Sequence, residues 1–168
     1  MTFPNALSLI EISSRSERWE EDPLFSQNDI SDALKLAREK FPLFTEKGHV
    51  DIILGDNALL KELNATYLGK DNPTNVLSFP QEKLEKGTQL PSGDWILLGD
   101  IILSYETIKE EARVQDKPFS HHLKHLVVHG FLHLLGFDHE DEKEAQEMES
   151  LEIEILKSLS IPNPYKKD

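Results

Sequence analysis

The chain has 168 residues, of which 38% are hydrophobic, and its formal net charge is −13. This length suits one packed core and no Pro-, Gly- or Ser-rich linker divides it, so a single domain over 1–168 is expected. The charge excludes a general nucleic-acid-coating protein, since phosphate binding draws on clustered Lys and Arg, while the lack of cysteine excludes disulfides and thiolate metal ligands.

Alternating and helically spaced apolar residues predict the following elements in chain order. A strand at 6–12 precedes a helix at 26–41 that Pro42 ends. A strand at 50–54 and a helix at 57–68, capped by Asp56, come next. A strand at 75–79 stops at Pro80, and a mobile surface loop at 81–93 leads to a strand at 95–103 and a helix at about 105–115.

Two longer helices are predicted in the C-terminal part of the chain. Pro118 lies at the first turn of one, whose apolar face is expected to be buried; this face comprises Leu123, Leu126, Val127, Phe131, Leu134 and Leu135. The other, at about 140–159, has acids at its start and a core stripe of Met148, Leu151, Ile155, Leu156 and Leu159. Strands and helices mixed around a small sheet, with helices clustered late in the chain, predict an α+β fold. No signal peptide or membrane span is recognisable, so a soluble protein is expected.

Three histidines near the end of the first of these two helices indicate a metal site. His129 and His133 are four residues apart, so they lie one above the other on one helix face. Gly136 suits the left-handed turn that ends a helix and would bring His139 to the same ion. Three imidazoles suit one Zn²⁺ per chain, and three protein ligands leave a coordination position open, as in catalytic sites.

The histidine spacing equals that of the zinc-peptidase signature H-E-x-x-H-x-x-G-x-x-H, with one difference. Gly130 stands where those enzymes have the Glu that acts as general base. The metal ligands are therefore kept, whereas the peptidase catalyst is missing.

Other polar residues have less specific interpretations. His121, His122 and His125 continue the helical ladder and are predicted to be surface groups or to support the ligands, because one ion cannot reach the whole ladder. His49, beside Gly48, is interpreted as a loop residue. Asp138 has three open roles: it could orient a ligand imidazole, accept a proton or cap a turn.

Three sequence blocks resemble the bacterial YbeY endoribonuclease family. The stretch His129-Gly130-x-x-His133-x-x-Gly136-x-Asp138-His139 resembles that family's H-G-x-L-H-L-x-G-[YF]-D-H signature. Residues 64–80 resemble L-N-x-x-Y-R-x-x-D-x-P-T-[DN]-V-L-S-F-P, and residues 98–101 resemble L-G-D-I. The blocks follow the family's order over about the C-terminal two thirds of the chain, and residues 1–48 carry no comparable signature.

The resemblance implies a zinc-dependent endoribonuclease, specific for single strands, that matures the 3′ end of small-subunit ribosomal RNA and takes part in ribosome quality control. It also implies a cytoplasmic location and contact with the small ribosomal subunit; neither a membrane nor DNA is expected as a partner. The family's metal ligands correspond to His129, His133 and His139.

One position departs from the family pattern. Leu68 follows Tyr67 where the family usually has an Arg that would face the scissile phosphate. Lys70 is a candidate substitute, although an ammonium lacks the paired donors of a guanidinium, and it is equally interpretable as a solvated turn residue.

The sequence leaves the mechanism open. The ion could polarise a phosphate oxygen or lower the pKa of water, and the base could be Asp138, the RNA's own 2′-hydroxyl chemistry or solvent. Two competing functions are a metal-dependent hydrolase of another substrate, such as a peptide, and a ribosome-assembly adaptor with a structural metal.

Overall fold

The computed structural model describes residues 10–41, 48–81 and 96–166, apart from the side chain of Ile96. Within these ranges the strands are β1 (Ile10–Ser14), β2 (Gly48–Gly55), β3 (Val76–Pro80) and β4 (Ile96–Ser104). The helices are α1 (Arg18–Glu21), α2 (Gln27–Glu39), α3 (Asn57–Leu68), α4 (Tyr105–Val114), α5 (Phe119–Leu134) and α6 (Glu142–Ser158). The predicted α+β class, with a small mixed sheet packed by helices, is confirmed.

The strands form one sheet in the order β1-β2-β4-β3. β1, β2 and β4 are parallel, whereas β3 pairs antiparallel with β4. The crossover connections that parallel strands require are supplied by α1 and α2 between β1 and β2, and by α3 followed by β3 between β2 and β4. β3 is thus an antiparallel edge strand on an otherwise parallel sheet.

Each face of the sheet contributes to a separate apolar cluster. Alternate residues of β2 point to opposite faces: Val50 and Ile52 belong to the main core, together with buried residues of α2, α5 and α6. Ile53 points the other way, into a smaller cluster centred on Leu60, Leu77 and Ile102. The main core therefore lies between the sheet and the face of α5 that the sequence predicts to be buried.

Most predicted elements are confirmed, with shifts at their ends. The helix at 57–68 is α3, and the carboxylate of Asp56 caps it by accepting a bond from Leu59 N at 2.9 Å. The first strand ends later than predicted, because β1 continues to Ser14 whereas the prediction ends at residue 12. The predicted residues 6–9, Pro42 and nearly all of the predicted loop lie outside the described ranges. Pro80 is the last residue of β3, so the strand ends there as predicted, and an edge strand tolerates the proline.

The apolar stripe predicted for the last helix is confirmed. Met148, Ile155 and Leu156 are buried, and Leu151 and Leu159 pack against them. None of the helices in the described ranges is long and apolar enough to cross a bilayer.

The acidic segment around Trp19 contains a structural anchor that the sequence patterns do not reveal. Trp19 in α1 is fully buried, and its indole N–H donates to Gly55 O at 2.8 Å. Its ring meets those of Phe25 and Tyr105 edge-on, at centroid distances of 5.0 and 5.3 Å. A four-residue helix gives no periodic pattern to read, so only the structure shows that this segment belongs to the core.

Replacing Trp19 is therefore expected to destabilise the fold. Trp19→Ala should lower the free energy of unfolding by about 3–5 kcal/mol through cavity formation, and Trp19→Phe by less. Leu24→Ala, at a side chain that is 66% exposed, should change it by under about 0.5 kcal/mol. Urea unfolding measures all three, and equal effects of Trp19→Ala and Leu24→Ala would contradict the anchoring role.

Candidate metal centre

One face of the helix α5 packs in the core, and the opposite face carries the histidines. The predicted apolar face is buried throughout, from Leu123 to Leu135. Pro118 lies immediately before the first helical residue, where its missing N–H costs no hydrogen bond. Burial of one face fixes the rotation of the helix, so His129 and His133 share a defined direction.

The turn after α5 brings in the third histidine. Gly136 adopts φ 96°, a conformation that side-chain-bearing residues rarely take. The backbone N–H of Phe137 donates to Leu132 O at 3.1 Å, and the Phe137 ring is buried against Phe41. This turn positions His139 beside the helix, as the sequence predicts.

The three imidazoles converge on one point. The Nε2 atoms of His129 and His133 are 3.1 Å apart, and the candidate ligand atoms of His129, His133 and His139 all lie within 4.8 Å of one another. Ligands at about 2.0–2.1 Å from a tetrahedral ion are separated by about 3.3 Å. The donor set and its spacing therefore fit a single zinc-sized ion.

His133 is in the neutral form that a metal ion binds. Burial, together with the nearby His129 and His139, lowers the pKa of His133 to about 4. A metal binds the neutral imidazole, so at neutral pH no proton has to be displaced from this ring.

Glu152 of α6 supports the centre and was missed by the sequence analysis. Its carboxylate is fully buried and bonds to Nδ1 of His129 and to Nε2 of His125, the latter at 3.2 Å. The hydroxyl of Tyr165 donates to the same carboxylate. Burial raises the pKa of Glu152, but hydrogen bonds from His125 and His129 outweigh burial and lower it to about 2.

The bond to Glu152 selects the tautomer of His129. A carboxylate only accepts hydrogen bonds, so Nδ1 of His129 carries the proton and Nε2 keeps its lone pair. Nε2 is the atom that faces His133. A sequence signal for Glu152 exists: it lies four residues after Met148 on the buried stripe of α6, where a charge needs a partner.

Gly130 packs against the sheet. A Cβ at this position would come within 3.0 Å of both Ser78 Oγ and Ile101 Cγ2, and the Ser78 hydroxyl donates to Gly130 O at 3.2 Å. The position that holds the general base in zinc peptidases thus points at β3 and β4. A Glu side chain there would press on the side chains of Ser78 and Ile101.

The structure also places the histidines that are not candidate ligands. His125 bonds Glu152 and so supports a candidate ligand, whereas His122 is buried and bonds Glu111 at 2.9 Å. The loop interpretation of His49 is wrong: it lies in β2, because that strand begins at Gly48, and it bonds Asp51 at 2.8 Å. Glu11, His49 and Asp51 are also close enough together for a metal ion, although Glu11 is largely exposed.

Asp138 and Lys70 are the other candidate site residues. Asp138 Oδ1 accepts a bond from the backbone N–H of His139 at 2.8 Å, a contact of the turn-capping kind. Lys70 follows the end of α3, and its backbone N–H donates to Asn64 O at 3.1 Å. Its side chain is exposed, and no hydrogen bond or ion pair joins its ammonium group to the parts of the chain that the structure describes.

Comparison with known proteins gives a consistent result. A family model described as "Endoribonuclease YbeY" matches residues 11–160. A curated endoribonuclease YbeY from Bradyrhizobium diazoefficiens is 42% identical over 98% of this chain and 88% of its own length. Another, from Magnetococcus marinus, is 52% identical over 69% of this chain and 82% of its own.

A solved structure is similar in fold. The solution structure of TM1509 from Thermotoga maritima superposes with a TM-score of 0.52 and 24% identity, covering 94% of this chain and 99% of that one. At this identity the likeness supports the architecture alone.

The three-histidine centre predicts the metal content of the protein. Protein purified without chelator should contain one metal ion per chain, with zinc as the leading candidate, and His133→Ala should lose it, as elemental analysis measures. His49→Ala is the matched control and should retain the ion. Loss of metal in His49→Ala but not in His133→Ala would move the site to Glu11, His49 and Asp51.

The buried carboxylate predicts a graded effect on affinity. Glu152→Gln should weaken metal binding by about 10- to 100-fold, because second-shell partners of ligating histidines have effects of this size. Competition with a chromophoric chelator measures the change. Glu142→Gln, at the exposed start of the same helix, should bind as the unaltered protein does, and an equal affinity for Glu152→Gln would refute the supporting role.

Proposed function

The chain belongs to the YbeY endoribonuclease family and is an enzyme that cleaves RNA; on this premise we propose that it is zinc-dependent and specific for single strands. The observation that carries the metal part of the proposal is the convergence of His129, His133 and His139. The Nε2 atoms of His129 and His133 are 3.1 Å apart, close to the spacing of about 3.3 Å between ligands of a tetrahedral zinc ion. Three imidazoles would leave one coordination position open, as in catalytic rather than structural zinc sites.

The ion and the residues around it have different roles in the proposed centre. When bound, Zn²⁺ supplies positive charge that stabilises a phosphodiester in its transition state and lowers the pKa of water at the site towards about 7. His129 is held by Glu152 in the tautomer that presents Nε2. His133 stays neutral because burial lowers its pKa to about 4.

Two residues are proposed to act on the substrate itself. Asp138 precedes the candidate ligand His139 and accepts a bond from its backbone N–H at 2.8 Å, which places a carboxylate beside the centre and supports Asp138 as a proton acceptor. Lys70 is proposed to contact the phosphate in place of the family's Arg, since its exposed ammonium lies two residues beyond Leu68. Leu68 is itself 52% exposed, so position 68 has room for a long side chain.

We further propose that the substrate is the 3′ end of small-subunit ribosomal RNA, that the enzyme works with the small ribosomal subunit in the cytoplasm, and that it does so as one domain. Support comes from the family's sequence signatures in residues 64–80, 98–101 and 129–139. The family match over residues 11–160 supports the single domain.

The competing functions differ in their support. A peptidase is disfavoured because the general base of the zinc peptidases is replaced by Gly130, which packs tightly against Ser78 and Ile101. A ribosome-assembly adaptor with a structural metal has one observation in its favour, namely Leu68 at the position of the family's Arg. Normal ribosomal RNA processing by a variant without the three histidines would favour the adaptor.

The decisive experiment compares RNA substrates. The metal-loaded protein should cut a single-stranded RNA and leave the same sequence in a duplex largely intact, because a flexible strand bends into a concave site whereas an A-form duplex is stiff. Casein should not be cut. His133→Ala should abolish RNA cleavage, and equal cutting of both RNA forms, or RNA cutting unaffected by His133→Ala, would refute the proposal.

The missing arginine yields a further test at positions 68 and 70. Leu68→Arg should raise cleavage modestly, since a guanidinium makes paired, charge-assisted bonds to phosphate. Lys70→Ala should lower cleavage in the native background and less so in the presence of Leu68→Arg, a coupling that a double-mutant cycle measures. Purely additive effects would show that Lys70 does not replace the arginine.

A further inference from the structure

A large groove leads away from the candidate metal centre. Its volume is about 910 Å³, and it starts at His129 and follows the histidine face of α5 back to Lys117. The opposite wall is the segment after α6, residues 161–166, which includes Tyr165. We call this space the C-terminal groove; nothing in the catalytic proposal accounts for it.

The C-terminal groove is larger than one phosphate group requires. His121 and His129 both line it, and eight residues of helix span about 12 Å. The volume lies near the upper end of the range of about 300–1,000 Å³ for small-ligand pockets. The groove therefore has room for a chain of groups that continues beyond the reacting phosphodiester.

The walls of the groove offer flat rings. Tyr165 is 40% exposed, and its ring stands at 89° to that of His125, with centroids 5.4 Å apart. Its hydroxyl is held by Glu152, so the ring has a fixed place. His121 is partly exposed, and no hydrogen bond joins its ring to another residue in the described ranges.

The charges of the groove balance. Lys117 and Lys166 line it, as do Glu111 and Asp116. The Glu111 carboxylate accepts bonds from Asn75 and His122, which offset part of its charge. A polyanion thus meets two cations here, in a chain whose net charge is −13.

We propose that the C-terminal groove binds the unpaired nucleotides that flank the scissile phosphate on one side, with bases stacked on Tyr165 and His121. This inference rests on the proposed function. Unpaired bases stack on aromatic and His side chains, and such stacking tolerates a site with few cations. A polypeptide segment is the other possible occupant, but continuity with His129 at the candidate centre favours the substrate strand.

Photo-crosslinking to the metal-loaded protein locates the bound bases. Single-stranded RNAs carry one 4-thiouridine at successive positions on either side of the cleavage point, and mass spectrometry maps the attached peptides. Nucleotides on one side should attach to peptides that contain Tyr165 or His121. Cleavage of the RNA with crosslinks only elsewhere would overturn the inference and leave the proposed function intact.

Substitutions test the rings themselves. Tyr165→Ala and His121→Ala should each raise KM for single-stranded RNA about five- to hundredfold, the range that stacking of one base corresponds to. His121→Phe keeps a flat ring and should stay near the KM of the unaltered enzyme. Val114→Ala, at a residue of α4 that is 67% exposed and outside the groove, is the surface control.

The variants also separate stacking from damage to the centre. Metal content should remain unchanged in His121→Ala and in His121→Phe, because the ring of His121 bonds neither Glu152 nor a candidate ligand. Unchanged KM in both Ala variants would overturn the inference and leave the groove to a polypeptide partner. Failure of the unaltered protein to cut or crosslink any RNA would overturn the proposed function and this inference together.

Discussion

The packing of α5 against the sheet is the constraint on which the site depends. A Cβ at position 130 would lie only 3.0 Å from Ser78 Oγ and from Ile101 Cγ2, so glycine lets the helix backbone pack closely against β3 and β4. That approach buries Val127, Phe131 and Leu134 completely. Because a helix is rigid, the same contacts set the direction of the histidines on its other face, and core packing thereby determines site geometry.

Glu152 connects the core to the candidate centre. An isolated buried carboxylate costs several kcal/mol, and this one is fully buried in α6. His125, His129 and Tyr165 all bond it, so the charge is compensated by groups from α5 and from the segment after α6. The carboxylate that orients His129 therefore also holds the wall of the C-terminal groove, and the two functional features share one anchor.

The sequence predicted those parts of the site that are set by short-range geometry. The spacing of His129 and His133 and the left-handed turn at Gly136 depend on local helix rules, and both appear in the structure. Glu152 and Trp19 depend on which elements meet in space, which periodicity does not encode. For the same reason the strand order, with β4 between β2 and β3, was not predicted, and His49 was misassigned where β2 starts two residues before the predicted strand.

An acidic protein that cuts RNA has to bind a substrate of the same sign of charge. With a net charge of −13, long-range attraction to a polyanion is absent, and screening confines the repulsion to within about 8–10 Å at physiological salt. Binding then has to come from contacts at short range: the charge of a bound ion, a few ammonium groups, and rings that stack on bases. Bases are available for stacking only in unpaired strands, so the same shortage of positive charge that weakens RNA binding in general supports the proposed preference for single strands.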